Sequence, residues 1–217
     1  MRNANYSSLL RAYLAVEVAH STEVRSRHTN ETVDLWPSLG YLAVKQRLEN
    51  TKRTLEASEH FAQLKATLTS VRIPSGINKI VALACSTMTW ADEDAAMPSM
   101  AQHNLALTLR DFLATASSST LPNDEECIRE IKCYAQDPIY TPVDEQILSE
   151  AGFTILDDPR AFLEIDEGSI VISISPDIPV RQIVADIARP AMMIWDKSNA
   201  SGPDRFSSIL LFNSGTG

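Results

Sequence analysis

The sequence predicts an α/β fold, a Rossmann-like three-layer sandwich with a mostly parallel sheet of about five strands, preceded by helices. Three observations carry that prediction. Short apolar runs alternate with stretches of helical periodicity in residues 76–217, the rhythm of βαβ units. The first 75 residues show only the helical period. And 217 residues, 44% of them hydrophobic and 22% charged, can bury roughly 70% of the unfolded surface without disulfides or metal. That composition excludes a disordered chain, a collagen and a coiled-coil rod.

The elements follow in order. Residues 4–19 place Leu9, Leu10, Tyr13, Leu14 and Val18 near a 3.6 spacing, a helix. A polar stretch from His20 to Asp34 and the Trp36-Pro37 break come next. From Ser38 a long pattern runs through Leu42, Val44, Leu48, Leu55, Phe61, Leu64, Leu68 and Val71. It reads as one long helix or two, with Ser38 as a candidate cap and Pro74-Ser75-Gly76 as the stop. Residues 1–75 are therefore expected to form a helical extension packed on the core, and residues 76–217 the Rossmann-like domain.

In that domain Lys79–Cys85 is a strand followed by a polar loop, and 99–116 a helix with Met100, Leu105, Leu107, Leu109, Phe112 and Leu113. Ser117–Thr120 reads as an interhelical loop, and Ile131–Gln136 as a strand. Pro142–Ala151 is a helix that Gly152 stops, Phe153–Leu156 a strand and Pro159–Leu163 a helical turn. Ser169–Ser175, a helix over Val180–Ala188, and Ala191–Trp195 complete five strands, with Ile209–Phe212 as a further strand candidate. Right-handed crossovers put helices on both faces. The expected strand order is 3-2-1-4-5, with a pocket at the carboxyl ends of strands one and four.

Charge is divided unevenly. Residues 1–75 carry ten Lys+Arg against seven Asp+Glu, and residues 76–217 carry nine against twenty-one. The acidic part repels phosphate backbones, so no DNA partner is expected. Basic residues of the first part leave transfer RNA open as a partner, although Lys45, Arg47, Lys52 and Arg53 are interleaved with Glu49 and Glu56, as on a solvated helix face. No apolar run approaches the ~18 residues of a membrane span, and no membrane partner is expected. Cys85, Cys127 and Cys133 form no CxxC pair, which reads as reduced thiols in the cytoplasm or nucleus. His20, His28, His60 and His103 have no paired ligand spacing, so no metal site is expected. The sequence names no cofactor, and it does not define an oligomeric state.

The chemistry should lie at the strand ends. The first strand runs into Ala84-Cys85-Ser86-Thr87-Met88, and no glycine stands between Gly76 and Gly152. A dinucleotide site needs glycines in that turn, so a dinucleotide of the usual kind is not expected. Ser86 is the candidate nucleophile, although no base has a telling spacing to it. Structural roles are open to both as well: Ser86 as a turn or cap residue, Cys85 as a buried thiol at a strand end. The second strand runs into Asp137-Pro138-Ile139-Tyr140. Asp137 could hold a ribose hydroxyl pair, as acids there do in nucleotide folds. Equally, it could start a turn by accepting nearby backbone N–H groups. The fourth strand ends in Ser175-Pro176-Asp177 and the fifth in Trp195-Asp196-Lys197. The expected ligand-binding set is thus Cys85, Ser86, Thr87, Asp137, Tyr140, Ser175 and Asp177, with Met88 and Trp90 as apolar wall and Trp195 either joining that wall or, as the stronger expectation, packing in the core.

These segments carry a family resemblance. In order they are SEHFAQLKATL, KIVALAC, QHNLALTLRDFL, YAQDPIYTPVDEQILSEAGFTIL, SIVISISPD and AMMIWDKSN. Together they resemble the sensitivity-to-red-light-reduced (SRR-like) domain family, in particular its divergent fungal members, over roughly residues 50–200. The resemblance implies links to light and circadian signalling in plants and to haem-related regulation elsewhere, with no agreed biochemical activity. Three strand-end turns depart from the family pattern. A Gly-x-Gly-like turn is here Ala84-Cys85-Ser86, a Pro-His-Cys-like turn is Ser175-Pro176-Asp177, and a Gly-Asn-Ser-like turn is Trp195-Asp196-Lys197-Ser198-Asn199.

Three functions follow as expectations. The chain is a regulatory protein with a small-molecule pocket at the rim. It is a group-transfer enzyme using Ser86, of the aminoacyl-transferring cyclodipeptide-synthase kind. Or it is a scaffold whose N-terminal helices bind a partner.

Overall fold

In the computed structural model, strand β1 (Lys79–Leu83) lies at the centre of the sheet, pairing in parallel with both β2 (Lys132–Gln136) and β4 (Ser169–Ile172). β3 (Phe153–Ile155) adds to β2 and β5 (Met192–Trp195) to β4, also in parallel. β6 (Ser208–Leu211) closes the β5 edge antiparallel, giving the order β3-β2-β1-β4-β5-β6. The expected order of the five parallel strands is the observed one. The structure describes residue 29, residues 38–70, 76–117 and 130–195, and the backbone of 208–211. The helix over 4–19, the Trp36-Pro37 break, the stop at Pro74-Ser75, the loop after Ser117, Cys127 and the turn after Trp195 lie outside these residues.

Alternation along the strands builds two cores. Ile80 and Ala82, Cys133 and Ala135, Ile170 and Ile172, and Met192 and Ile194 face one side. Val81 and Leu83, Val171, and Met193 and Trp195 face the other. Helices α1 (Tyr41–Glu56), α2 (Glu59–Ser70), α3 (Glu93–Ser117) and α4 (Pro142–Glu150) serve the first side. The short α5 (Arg160–Leu163) and α6 (Val180–Ile187) serve the second. Helices on both faces complete the three-layer α/β sandwich.

α3 is buried around nearly its whole circumference from Ser99 to Leu109, because α1 lies along its outer side. Asn104 Nδ2 donates to Leu48 O at 2.9 Å, and Thr51 Oγ1 reaches Met97 and Met100 sulfur at 3.6 and 3.9 Å. A helix covered on all sides is apolar on all sides, which fits its Leu105, Ala106, Leu107 and Leu109.

The long pattern is two helices, one of the two forms expected: Ser58 Oγ accepts the Phe61 N–H at 3.1 Å, capping α2 where α1 ends. Three boundaries differ from expectation. Gly40, not Ser38, is the N-cap of α1, and Ser38 instead bridges Trp90. α3 begins at Glu93, six residues before the apolar pattern, with Pro98 inside it. β4 ends at Ile172 rather than Ser175, since Ser175 takes a left-handed φ of 53° that no strand accommodates.

Candidate functional site at the carboxyl rim of the sheet

β1 leaves the sheet through a glycine-shaped turn built without glycine. Ala84 has φ 53° and Ser86 φ 66°, both in the left-handed region. There an L side chain costs roughly 1–2 kcal/mol. These are the first and third positions of the turn, where the resembling family carries its glycines. Two carboxylates, Asp137 from the β2–α4 connection and Asp144 from the first turn of α4, hold the turn. Asp137 Oδ2 accepts the Ser86 N–H at 2.7 Å, and Oδ1 accepts the Ile139 N–H at 3.0 Å. Asp144 is fully buried. Its Oδ2 accepts from Thr87 Oγ1 at 2.5 Å and from Thr141 N and Oγ1, both at 2.8 Å. Its Oδ1 accepts the Met88 N–H at 2.8 Å. Asp144 is also the third residue of a capping box with Thr141 at the start of α4. Since Thr87 gives its only hydroxyl proton to Asp144, Thr89 Oγ1 must donate across the 2.8 Å Thr87–Thr89 contact.

α3 ties the strand ends together from one helix face. Ser99 Oγ donates to Ser86 O at 2.7 Å, beyond β1. Gln102 Oε1 accepts the Ile174 N–H at 2.9 Å, beyond β4. His103 reaches Tyr140 OH at 2.7 Å, beyond β2. His103 Nδ1 lies 2.8 Å from Ser99 O. A carbonyl only accepts, so Nδ1 carries the proton and Nε2 accepts from Tyr140. Burial pulls the His103 pKa down to about 4, against the opposing pull of that Ser99 bond; the imidazole is neutral at pH 7. Burial raises the Tyr140 pKa, with the charges of Asp137 and Asp144 adding to it. Burial, and then the Asp137 charge, raises the Cys85 thiol well above its ordinary value. Cys85 is thus a protonated, inert thiol.

Of the residues the sequence singles out, Cys85, Ser86, Thr87, Asp137 and Tyr140 come together around this turn. Cys85 and Thr87 are buried; Ser86, Asp137 and Tyr140 are half-buried. No hydrogen bond to the Ser86 hydroxyl is present among the described residues. Ser175 and Asp177 are exposed in the loop after β4, joined to the network through Ile174 and Gln102. Met88 is fully buried, Trp90 half-buried, and Trp195 belongs to the second core. The sequence reading missed Ser99, Gln102, His103 and Asp144. Two signals mark them: a polar i, i+3, i+4 set inside an apolar helix, and a Thr141-x-x-Asp144 box before one.

A groove of about 170 Å³ lies elsewhere, between α1, α3 and the last turn of α4. Among the described residues no group of three His, Cys, Asp or Glu side chains could hold a metal, and no helix is long and apolar enough to cross a membrane.

Fold and rim together define a doubly wound α/β protein whose strand ends are laced to helix α3. The model of the SRR1 domain matches residues 51–206, most of the chain, and the chain belongs to that family. Comparison with curated proteins and with solved structures gave no match.

Proposed function

We propose that this SRR1-domain protein is a regulator that binds a small molecule at the carboxyl rim of its sheet, in the cytoplasm or nucleus. One observation carries the reading. All three non-glycine residues with left-handed φ among the described residues, Ala84, Ser86 and Ser175, follow β1 or β4. Those strands flank the point where the strand order reverses, the place where open α/β sheets bind ligands. Backbone strain gathers at ligand sites because surrounding structure must hold it in place. The hydrogen-bonded side chains around the turn favour binding over catalysis: the Cys85 thiol is protonated, and both ring nitrogens of His103 are engaged.

The test is a mass-spectrometric survey of small molecules retained by the purified protein, run beside Ser86→Asn. Asn tolerates the left-handed region, so the turn keeps its shape while the larger side chain intrudes on the rim. A compound retained by the wild type and lost from Ser86→Asn supports the reading. Turnover of that compound, or a covalent adduct on Ser86, would replace it with the group-transfer reading. An empty rim together with a stable protein partner would replace it with the scaffold reading.

A further inference from the structure

We propose that the α6 side of the rim carries a phosphoryl-binding subsite, formed by Ser173, Arg181 and the first turn of α6. It deepens the reading above and rests on it only in placing a ligand at the same edge of the sheet.

The two sides of the rim differ in what their polar groups have to bond. On the α3 side Thr87, Ser99, Gln102, His103 and Asp144 are buried and bonded to one another or to the strand-end backbone. On the α6 side three kinds of donor meet no acceptor.

The first is Ser173. Its N–H still bonds Ile194 O at 3.0 Å, so it continues the β4 ladder one residue past the strand. Alternation puts its side chain on the face of Val171, which packs in the core shared with Val180 and Val184 of α6. It is 2% exposed, and its hydroxyl has no hydrogen-bond partner. Such orphaned groups are rare and costly, and each calls for a cause.

The second is Arg181. The Ile172–Ile194 register sets Ser173 beside Trp195, and the Arg181 guanidinium lies over the Trp195 ring, 5.5 Å from its centroid. Arg181 is exposed and forms no ion pair among the described residues. It also sits in the first turn of a helix, where a cation is opposed by the helix dipole.

The third is the helix end itself. No side chain caps α6, and its first turn holds no acid. The Val180 N–H bonds Ile178 O and the Ile183 N–H bonds Pro179 O. The N–H groups of Arg181 and Gln182 have no backbone acceptor among the described residues.

A hydroxyl, a guanidinium and helix N–H groups on one face of the sheet, each without an acceptor, suit one chemistry. An anion with three or four oxygens and a double charge satisfies all three at once, while a carboxylate offers two oxygens. The ligand class is therefore a phosphate or phosphomonoester.

The experiment uses the full chain, with inorganic phosphate as the probe, titrated calorimetrically against chloride at equal ionic strength. Wild type should bind phosphate and melt at a higher temperature in its presence. Arg181→Met, a change at an exposed site, should weaken phosphate by roughly tenfold, as loss of a charge-assisted contact does. Ser173→Ala should separate two effects. It removes an unpartnered buried hydroxyl, so the phosphate-free melting temperature should hold or rise while phosphate affinity falls. Phosphate affinity unchanged in both variants overturns the proposal. So does a wild type that neither binds phosphate nor retains any phosphorus-bearing compound. A phosphomonoester recovered from wild type and lost from Arg181→Met assigns an organic source; binding of inorganic phosphate alone assigns the free ion. A retained compound without phosphorus that survives Arg181→Met overturns the subsite and leaves the small-molecule reading standing. Arg181-dependent phosphate binding with no organic compound retained does the reverse.

Discussion

Ala84 and Ser86 hold a shape that glycine holds at no steric cost. Ala84→Gly and Ser86→Gly should each stabilise the protein by up to about 1 kcal/mol, the relief of strain offset in part by the looser unfolded chain. At this chain length that raises the melting temperature by roughly 2–4 °C. A lowered melting temperature in both variants would contradict the left-handed assignment. The two aspartates of the same turn should behave differently from each other. Asp144→Asn turns one acceptor oxygen into a donor against a site that supplies four donors, and should cost about 3 kcal/mol or more. Asp137→Asn keeps one acceptor in a half-buried place, and should cost about 1 kcal/mol. Chemical denaturation of the two variants decides it, and equal losses would mean that burial is not what separates them. His103 gives a pH dependence. Its folded pKa of about 4 lies below the ordinary value of 6.5. Above pH 6.5 the ring is neutral in both states and costs nothing. As pH falls from 6.5 toward 4 the unfolded state takes up the proton first, so stability is lost in that window. The loss is on the order of 3 kcal/mol once pH is below 4. His103→Gln should be less stable than wild type at pH 7 and lose less on acidification; a parallel pH profile would refute the assignment.

At the scale of elements, the strands were legible because they are apolar runs bounded by turns, a pattern that only a buried sheet requires. Helix α4 was legible for the same reason, from Pro142 at its start to Gly152 just after it. Gly152 has φ 93°, and a Cβ there would lie 2.9 Å from Arg110 Nη1. The lacing of the rim was not legible. Ser99, Gln102 and His103 sit in a helix that reads as apolar, and a helix covered on both sides gives no polar face to stand out against. The same covering makes α1 a structural part of the fold. Leu48→Ala should cost about 2–4 kcal/mol, since it opens a cavity between α1 and α3. Asn104 at that interface has an unpartnered Oδ1, and its amide donates to a carbonyl of helix α1. Asn104→Leu should therefore leave stability within about 1 kcal/mol of wild type or improve it. A larger loss would show that the side-chain bond to Leu48 holds the helices in register.

For the whole molecule, the α/β class and strand order followed from the sequence, and the clustering of the rim residues followed in part. Cys85 and Thr87 stand just after β1, and Asp137 and Tyr140 just after β2, so a linear pattern places them at one rim. What they bond to depends on which helix crosses above them, and a linear pattern does not contain that. Net charge is a property the sequence contains in full. At −9, the molecule should form no salt-sensitive, submicromolar complex with duplex DNA at physiological ionic strength. A gel-shift titration across salt concentrations checks it, and a complex that weakens steeply with salt would overturn the expectation.

The central place of β1 also bears on how the chain is made. Its partner on one side begins at Ser169, ninety residues after Lys79 in the register. At about 5–20 residues per second, translation takes roughly 5–20 s to supply that partner. Through that interval Ile80, Val81, Ala82 and Leu83 are on the nascent chain with at least one edge unpaired, although each is buried in the finished protein. The ribosome thus presents a sticky apolar strand long before its sheet can close, the circumstance in which holding chaperones act.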